Sequence, residues 1–243
     1  MAERDISTLL AELDAGDMAG FTRSFVDDLE AAMSMDAGIE ADSDWSGVIC
    51  LGMGGSGAGG RFLKSLADSE GGLPFVVWSD YGLPSWWGPD WLVLATSYSG
   101  DTEETLDGVR MALESGGTVI GVSSGGQLSE ILEDSDECVL LPVPAGQAPR
   151  SAFGHIFGAQ LAASWALGLL PSPNTDEISG MLDNIESEVV WRIECEGESQ
   201  LERLLYAAHV TDWVSIGMAL AKGVDPSDMA AIDSLKAHLA SIQ

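Results

Sequence analysis

Basic residues are scarce in this 243-residue chain, which has 10 Lys and Arg against 39 Asp and Glu. A formal charge of −29 would be repelled by duplex nucleic acid and by anionic lipid, so we expect neither nucleic acid nor a membrane as a partner. The acidic residues are spread over every segment. This composition favours an acidic, halophilic protein, because concentrated counter-ions screen its self-repulsion.

Cysteine is also scarce, and the three present are Cys50, Cys138 and Cys195. Their number and spacing fit neither a disulfide framework nor a zinc site, and we expect no metal or other cofactor. The first 15 residues lack the basic region and apolar run of a secretory signal. The most apolar segment, 156–170, is interrupted by Gln160 and Ser164 and is too short to span a bilayer. These absences predict a cytoplasmic protein.

Apolar periodicity divides the chain into three predicted segments. Residues 1–42 contain two amphipathic helical patterns. In 43–170, short apolar runs alternate with helical patterns, which indicates a parallel sheet covered on both faces. The five strand-like runs are GVICLG, PFVVWS, WLVLATS, TVIGVSS and CVLLPV. The connection between Ser79 and Asp90 is too rich in Pro, Gly and Trp for a long helix.

The last segment, 171–243, begins after an apolar helix predicted over 151–170. Its first residues, PSPNTD, mark a boundary at which Asn174 or Thr175 can cap the next helix. One strand-like run follows at 189–195, and two helical patterns follow at 198–221 and 226–241.

A glycine-rich turn follows the first predicted strand. Residues 52–57 fit the pattern G-x-G-x-x-G, and Asp80 lies near the end of the second strand, where a dinucleotide-binding fold places an acidic residue. The Walker pattern is excluded because no G-K-[ST] follows. A tight turn whose glycines only relieve backbone strain is a further interpretation that the turn alone leaves open.

A second loop, TSYSGDT at 96–102, follows the third predicted strand. In a doubly wound sheet of order 2-1-3-4-5, the first and third strands are neighbours and their carboxyl ends flank one crevice. Backbone N–H groups, two helix N-termini and nearby hydroxyls could then converge on a single anion without any lysine. The hydroxyl residues are Ser56, Ser97, Ser99 and Thr102. The serines could equally cap the following helix.

The segments GMGGSG, SYSGDTEET and PAGQAPRSAFG, together with the C-terminal stretch from Leu201, resemble the sugar isomerase (SIS) domain of the bifunctional phosphoglucose/phosphomannose isomerase family. The resemblance implies an α/β fold: a three-layer αβα SIS domain with a flavodoxin-like, five-stranded parallel sheet. It also implies a dimer that interconverts glucose 6-phosphate or mannose 6-phosphate and fructose 6-phosphate through an enediolate.

The same resemblance implies roles for individual residues. Ser56, Ser97, Ser99 and Thr102 would hold the phosphate, and Gly54 and Gly55 would bring the backbone close to the sugar. Arg150 would stabilise the enediolate, a role that suits a permanently charged guanidinium. Lys236 would assist ring opening. From the residues alone, Arg150 could instead form an exposed ion pair and Lys236 could be a solvated helix position.

The chain departs from the family pattern between residues 186 and 189, where most of a second SIS domain is missing. The family's base glutamate and a histidine are lost with it, so 171–243 is predicted to be a remnant of that domain. Candidate replacements for the base are His155, Glu194, Glu196 and Glu202. Three functions stay open: a sugar-phosphate isomerase, a non-catalytic sugar-phosphate-binding module or regulator, and, on the glycine turn and Asp80 alone, an NAD-dependent oxidoreductase.

Overall fold

The structure of the protein, a computed structural model, describes residues 6–38, 44–135, 138–186, 195 and 197–227. The predicted strand at 189–195, except for Cys195, and the predicted helix at 226–241, except for its first two residues, lie outside the described residues.

The N-terminal segment forms three helices, one more than the sequence predicts. Their bounds are α1 Ile6–Leu13, α2 Met18–Arg23 and α3 Phe25–Met33. The first break occurs because the Asp14 carboxylate accepts hydrogen bonds from the backbone N–H groups of Met18 and Ala19, each at 2.8 Å, which starts a new helix. Asp17, with a φ of 51°, completes the turn.

Five parallel strands form the sheet, as the sequence predicts. They are β1 Gly47–Leu51, β2 Phe75–Trp78, β3 Trp91–Thr96, β4 Val119–Ser123 and β5 Cys138–Pro142. Their spatial order is β2-β1-β3-β4-β5, so the predicted doubly wound order is confirmed. The register pairs Cys50 of β1 with Val77 of β2 on one side and with Leu94 of β3 on the other.

Helices cover both faces of the sheet. Three of them connect strands: α4 Ala58–Glu70, α5 Glu103–Glu114 and α6 Gly126–Glu133. The 79–90 connection contains no helix, as predicted. Alternate strand residues enter opposite cores: Val48 and Cys50 pack in the core with α4, whereas Ile49 and Leu51 pack in the core with α5 and α6. This three-layer αβα arrangement confirms the predicted fold class.

Helix α7, Phe153–Ala166, is buried over most of its length and packs against α3. The two helices approach closely at two glycines. A Cβ on Gly154 would lie 2.9 Å from the Phe25 carbonyl oxygen, and a Cβ on Gly158 would lie 2.6 Å from the Ala32 Cβ. The N-terminal segment therefore shares a core with the α4 face of the sheet.

Two further helices, α8 Thr175–Glu186 and α9 Gln200–Lys222, follow α7. Asn174 caps α8: its Oδ1 accepts from the Glu177 N–H at 3.0 Å, and Glu177 Oε2 accepts from the Asn174 N–H at 2.8 Å. Among the described residues, α9 is the one helix long and apolar enough to cross a membrane by length and composition. Its Leu201 and Leu205 are buried in the core that contains α3, α4 and α7.

Candidate functional site

The two loops chosen from the sequence meet at the carboxyl ends of β1 and β3, which are adjacent strands. The backbone N–H of Tyr98 donates a hydrogen bond of 3.2 Å to Ser56 Oγ, and this bond joins the loop after β3 to the loop after β1. Helices α4 and α5 begin directly after these loops. The fold therefore brings both loops and two helix N-termini together at the switch point of the sheet.

The loop after β1 turns tightly because its glycines allow backbone atoms to approach each other. Gly54 has a φ of +53°, and a Cβ on Gly57 would lie 2.6 Å from the Gly52 carbonyl oxygen. That carbonyl also accepts from Ser79 Oγ at 2.9 Å. Helix α4 starts with no side-chain cap, so its positive end faces the loop uncapped.

The loop after β3 contains one buried and one exposed serine. Ser97 is fully buried, and its Oγ lies 2.8 Å from Thr102 Oγ1 and accepts from the Thr102 N–H at 3.3 Å. Ser99 is exposed, and its Oγ accepts from the Asp101 N–H at 3.3 Å. Ser97 thus supports the start of α5, whereas Ser99 and the half-buried Thr102 are accessible to a ligand.

A third loop, after β4, holds the second loop in place, and sequence reasoning missed it. Ser124 donates to the Tyr98 carbonyl from its N–H at 3.0 Å and from its Oγ at 2.6 Å. A Cβ on Gly100, whose φ is +77°, would lie 1.7 Å from the Gly125 carbonyl oxygen. The adjacent glycines 125 and 126, directly after a predicted strand, were the available signal.

Carboxylates surround the start of α5. Glu103 accepts from the Tyr81 hydroxyl at 3.1 Å, and this hydrogen bond is the main reason that the pKa of Tyr81 is raised. Asp101 Oδ1 accepts from the backbone N–H of Gln127 at 3.2 Å. These acids stabilise the helix N-terminus, but a bound anion would have to overcome their negative potential.

Arg150 lies beside the glycine loop. A Cβ on Gly55 would lie 3.3 Å from the Arg150 backbone nitrogen, and the Arg150 guanidinium donates to the Pro226 carbonyl. Burial raises the pKa of Asp212 on α9 to about 6, although the charge of Arg150 opposes this rise. The guanidinium therefore lies within electrostatic reach of a half-buried carboxylate.

The two candidate replacement bases within the described residues, His155 and Glu202, already have structural partners. His155 is buried, and its Nε2 lies 3.4 Å from Asp28 Oδ2 of α3. Asp28 Oδ2 also accepts from Ser24 Oγ at 3.1 Å. Glu202 is buried at the start of α9. Its backbone N–H donates to Oγ of the N-cap residue Ser199 at 3.1 Å, and its Oε2 accepts from the Glu198 N–H at 2.7 Å.

The histidine of α9, His209, packs as an aromatic ring. It stacks on Phe25 with ring centroids 5.0 Å apart, and burial lowers its pKa. Lys236, Glu194 and Glu196 lie outside the described residues.

Asp80 gives little support to a dinucleotide site. Its Oδ1 accepts from the backbone N–H of the next residue, Tyr81, at 2.8 Å. The crevice that it shares with Gly52 and Trp78 has no internal space that a water molecule could occupy. Ligand pockets usually measure about 300 to 1,000 Å³, so this crevice is too small for a nucleoside.

A larger cavity of about 930 Å³ lies elsewhere, between α8, the start of α9 and α4. Its wall includes Leu66, Trp165, Met181 and the candidate base Glu202, but none of the predicted phosphate-binding residues. Within the described part of the chain, no group of three or more His, Cys, Asp or Glu side chains could hold a metal ion.

Among known protein families, the model of the bacterial phospho-glucose isomerase C-terminal SIS domain matches residues 174–239. A bifunctional phosphoglucose/phosphomannose isomerase of Caldicellulosiruptor bescii is 35% identical over 149 residues, or 61% of this chain and 43% of the relative. A D-glucosamine-6-phosphate 4-epimerase of Sulfolobus acidocaldarius is 39% identical over 108 residues, or 44% of this chain and 33% of the relative. The aligned region is thus less than half the length of either relative.

Among solved structures, the C-terminal domain of glucosamine-fructose-6-phosphate aminotransferase from Francisella tularensis has a similar fold. The TM-score is 0.50 at 18% identity, over 70% of this chain and 53% of that one.

Proposed function

We propose that this chain, a SIS-domain protein that resembles the bifunctional phosphoglucose/phosphomannose isomerases, binds the phosphate group of a hexose phosphate at the switch point of its sheet. One observation carries the proposal: the hydrogen bond from the Tyr98 N–H to Ser56 Oγ joins two loops, each of which leads into a helix N-terminus. A dianionic ester placed there would meet backbone N–H groups, the positive ends of two helices and accessible hydroxyls. No ammonium group is needed.

The residues proposed for the phosphate site are Ser56, Ser97, Ser99 and Thr102, with Gly54 and Gly55 leaving room for the sugar. Their different burial gives them different roles. Ser99 and Thr102 would bind through their hydroxyls, whereas the buried Ser56 and Ser97 would fix the shape of the loops.

For the reaction, we propose an aldose–ketose isomerisation between glucose 6-phosphate or mannose 6-phosphate and fructose 6-phosphate. Arg150, whose backbone lies beside Gly55, would stabilise the enediolate, and Lys236 would assist ring opening. Proton transfer at carbon needs a base within hydrogen-bond reach, and such a group contributes about 10² to 10⁴ in rate. The contacts that His155 and Glu202 already make support a second candidate function, a sugar-phosphate-binding module or regulator without turnover.

The Ser99→Ala variant tests the binding proposal. We expect calorimetry to show fructose 6-phosphate binding to the wild type and an affinity about 10 to 100 times lower for the variant, because a hydrogen bond to a charged group is lost. Ser115→Ala is the matched control: Ser115 is an exposed serine at the other end of α5, where its Oγ donates to the Met111 carbonyl. Equal affinities in all three proteins would contradict the proposal.

Turnover is tested separately. A coupled assay that detects fructose 6-phosphate formed from the glucose or mannose ester would support the isomerase. Saturable binding without product would support the non-catalytic module. An NAD-dependent oxidoreductase, the least supported of the three, would instead bind NAD and not the sugar phosphate.

We also propose a cellular setting. The protein works in a salt-rich cytoplasm, because its charge of −29 is best tolerated where ions screen it. It forms a homodimer, because α9 carries exposed Val214 and Met218 that a second copy could cover. Its acidity disfavours nucleic acid and anionic membranes as partners.

A further inference from the structure

Gln160 is a buried amide in the middle of the otherwise apolar helix α7. Only 1% of its surface is exposed, and its Nε2 donates a 2.7 Å hydrogen bond to Thr96 Oγ1. Thr96 is the last residue of β3 and directly precedes Ser97. One end of this side chain is therefore fixed at the base of the second loop.

The other end of the amide touches the first turn of α4. A Cβ on Gly59 would lie only 2.0 Å from Gln160 Oε1, so the helix backbone and the amide are in close contact. This oxygen has no hydrogen-bond partner among the described residues. A buried amide that leaves an acceptor unpaired costs stability, and an apolar side chain of the same length would avoid that cost.

We propose that Gln160 is a positioning residue for the phosphate site, an inference that rests on the function proposed above. It spans from Thr96, next to Ser97, to Gly59, three residues after Ser56. It thereby sets the distance between the two loops and between the starts of α4 and α5. An anion that bridges both loops is sensitive to that distance, because each of its hydrogen bonds requires a narrow range of lengths.

The first test compares Gln160→Met with Ser164→Ala. Met keeps the unbranched length of the side chain but cannot donate to Thr96. Ser164, one turn further along α7, is equally buried and also loses one hydrogen bond when replaced, but its Oγ donates to the Gln160 carbonyl and not to either loop. Thermal melting would show whether both variants fold.

We expect the dissociation constant for fructose 6-phosphate to rise about three- to tenfold in Gln160→Met and to stay unchanged in Ser164→Ala, when both are measured well below their melting temperatures. Equal affinity in Gln160→Met and the wild type would overturn this inference alone. A wild type that binds no hexose phosphate would overturn the proposed function and this inference with it.

A second test approaches the same contact from α4. In Gly59→Ala the new methyl group would displace the Gln160 amide from Thr96, so the affinity should fall by about the same factor. In Gly59→Ala/Gln160→Ala the clash is absent, and we expect the double variant to bind no more weakly than Gly59→Ala. If the fold losses of affinity in Gly59→Ala and in Gln160→Ala simply multiply in the double variant, the two residues act independently and the inference is overturned.

Discussion

Ser97 and Ser99 lie two positions apart in one loop but have different surroundings. Ser97 is fully buried and accepts from the Thr102 N–H, whereas Ser99 is exposed. We expect Ser97→Ala to lower the free energy of unfolding by about 1 to 2 kcal/mol, because it removes both hydrogen bonds that join this buried side chain to Thr102 at the start of α5. Ser99→Ala should change it by less than about 0.5 kcal/mol. Urea unfolding of both variants measures the difference, and equal losses would contradict it.

Asp212 should make stability depend on pH. Burial raises its pKa from 3.8 to about 6 in the folded state, so the folded protein binds this proton more tightly than the unfolded chain. Its contribution to the free energy of unfolding therefore falls as pH rises from about 4 to about 6 and is constant above that range.

We expect Asp212→Asn to flatten this part of the pH profile and to be more stable than the wild type at pH 7. Urea unfolding between pH 4 and pH 7 measures both effects. Asp183→Asn, which replaces an exposed aspartate of α8, is the control. A slope that persists in Asp212→Asn would show that another group causes it.

The meeting of the two loops could be predicted from the sequence, because local chemistry decides this part of the structure. The glycines at 52–57 and the hydroxyls at 97–102 each follow an apolar run, and parallel strands bring their carboxyl ends to one edge. The supporting contacts could not be predicted, because they join distant parts of the chain. Ser124 meets Tyr98, and Gln160 meets both Thr96 and Gly59, only after the helices have packed.

At the scale of elements, the contact between α3 and α7 depends on glycine. We expect Gly158→Ala to lower the free energy of unfolding by about 1 to 3 kcal/mol, because a methyl group would meet the Ala32 Cβ at 2.6 Å and the Leu29 carbonyl oxygen at 2.9 Å.

Gly180→Ala is the matched control for Gly158→Ala. Gly180 is also in a helix, α8, but a Cβ there meets no described atom within 4 Å. This substitution should stabilise the protein by about 0.5 to 1 kcal/mol through helix propensity. Thermal unfolding distinguishes the expected loss of stability in Gly158→Ala from the expected gain in Gly180→Ala. A Gly158→Ala variant as stable as the wild type would mean that α3 can move away from α7.

The N-terminal helices show where periodicity is insufficient. The spacing of apolar residues predicts helix correctly over most of 6–33, but it does not reveal that the Asp14 carboxylate starts a second helix at Met18. A side chain that caps a helix competes with the continuation of the previous one, and both outcomes keep the same apolar period.

At the scale of the whole molecule, charge dominates. If each of the 10 Lys and Arg residues paired with one of the 39 Asp and Glu residues, 29 acidic residues would still have no basic partner. The Debye length falls from about 10 Å at 0.1 M salt to about 3 Å at 1 M, so concentrated salt should weaken repulsion between the remaining carboxylates.

We therefore expect the melting temperature to be higher in molar KCl than in dilute buffer. A neutral osmolyte at the same osmolality is the control, since it changes hydration without screening charge. Greater stability in dilute buffer would argue against adaptation to salt.

One large core joins parts of the chain that the sequence assigned to three segments. Phe25 of α3, Leu63 of α4, Phe157 of α7 and Leu205 of α9 all belong to it. The predicted boundaries after residues 42 and 170 thus separate stretches of sequence that are packed together. Neither the N-terminal helices nor α9 could be removed without exposing apolar side chains of the remaining protein to water. A shorter version meant to carry only the proposed sugar-phosphate site would therefore be prone to aggregate, even if both loops were complete.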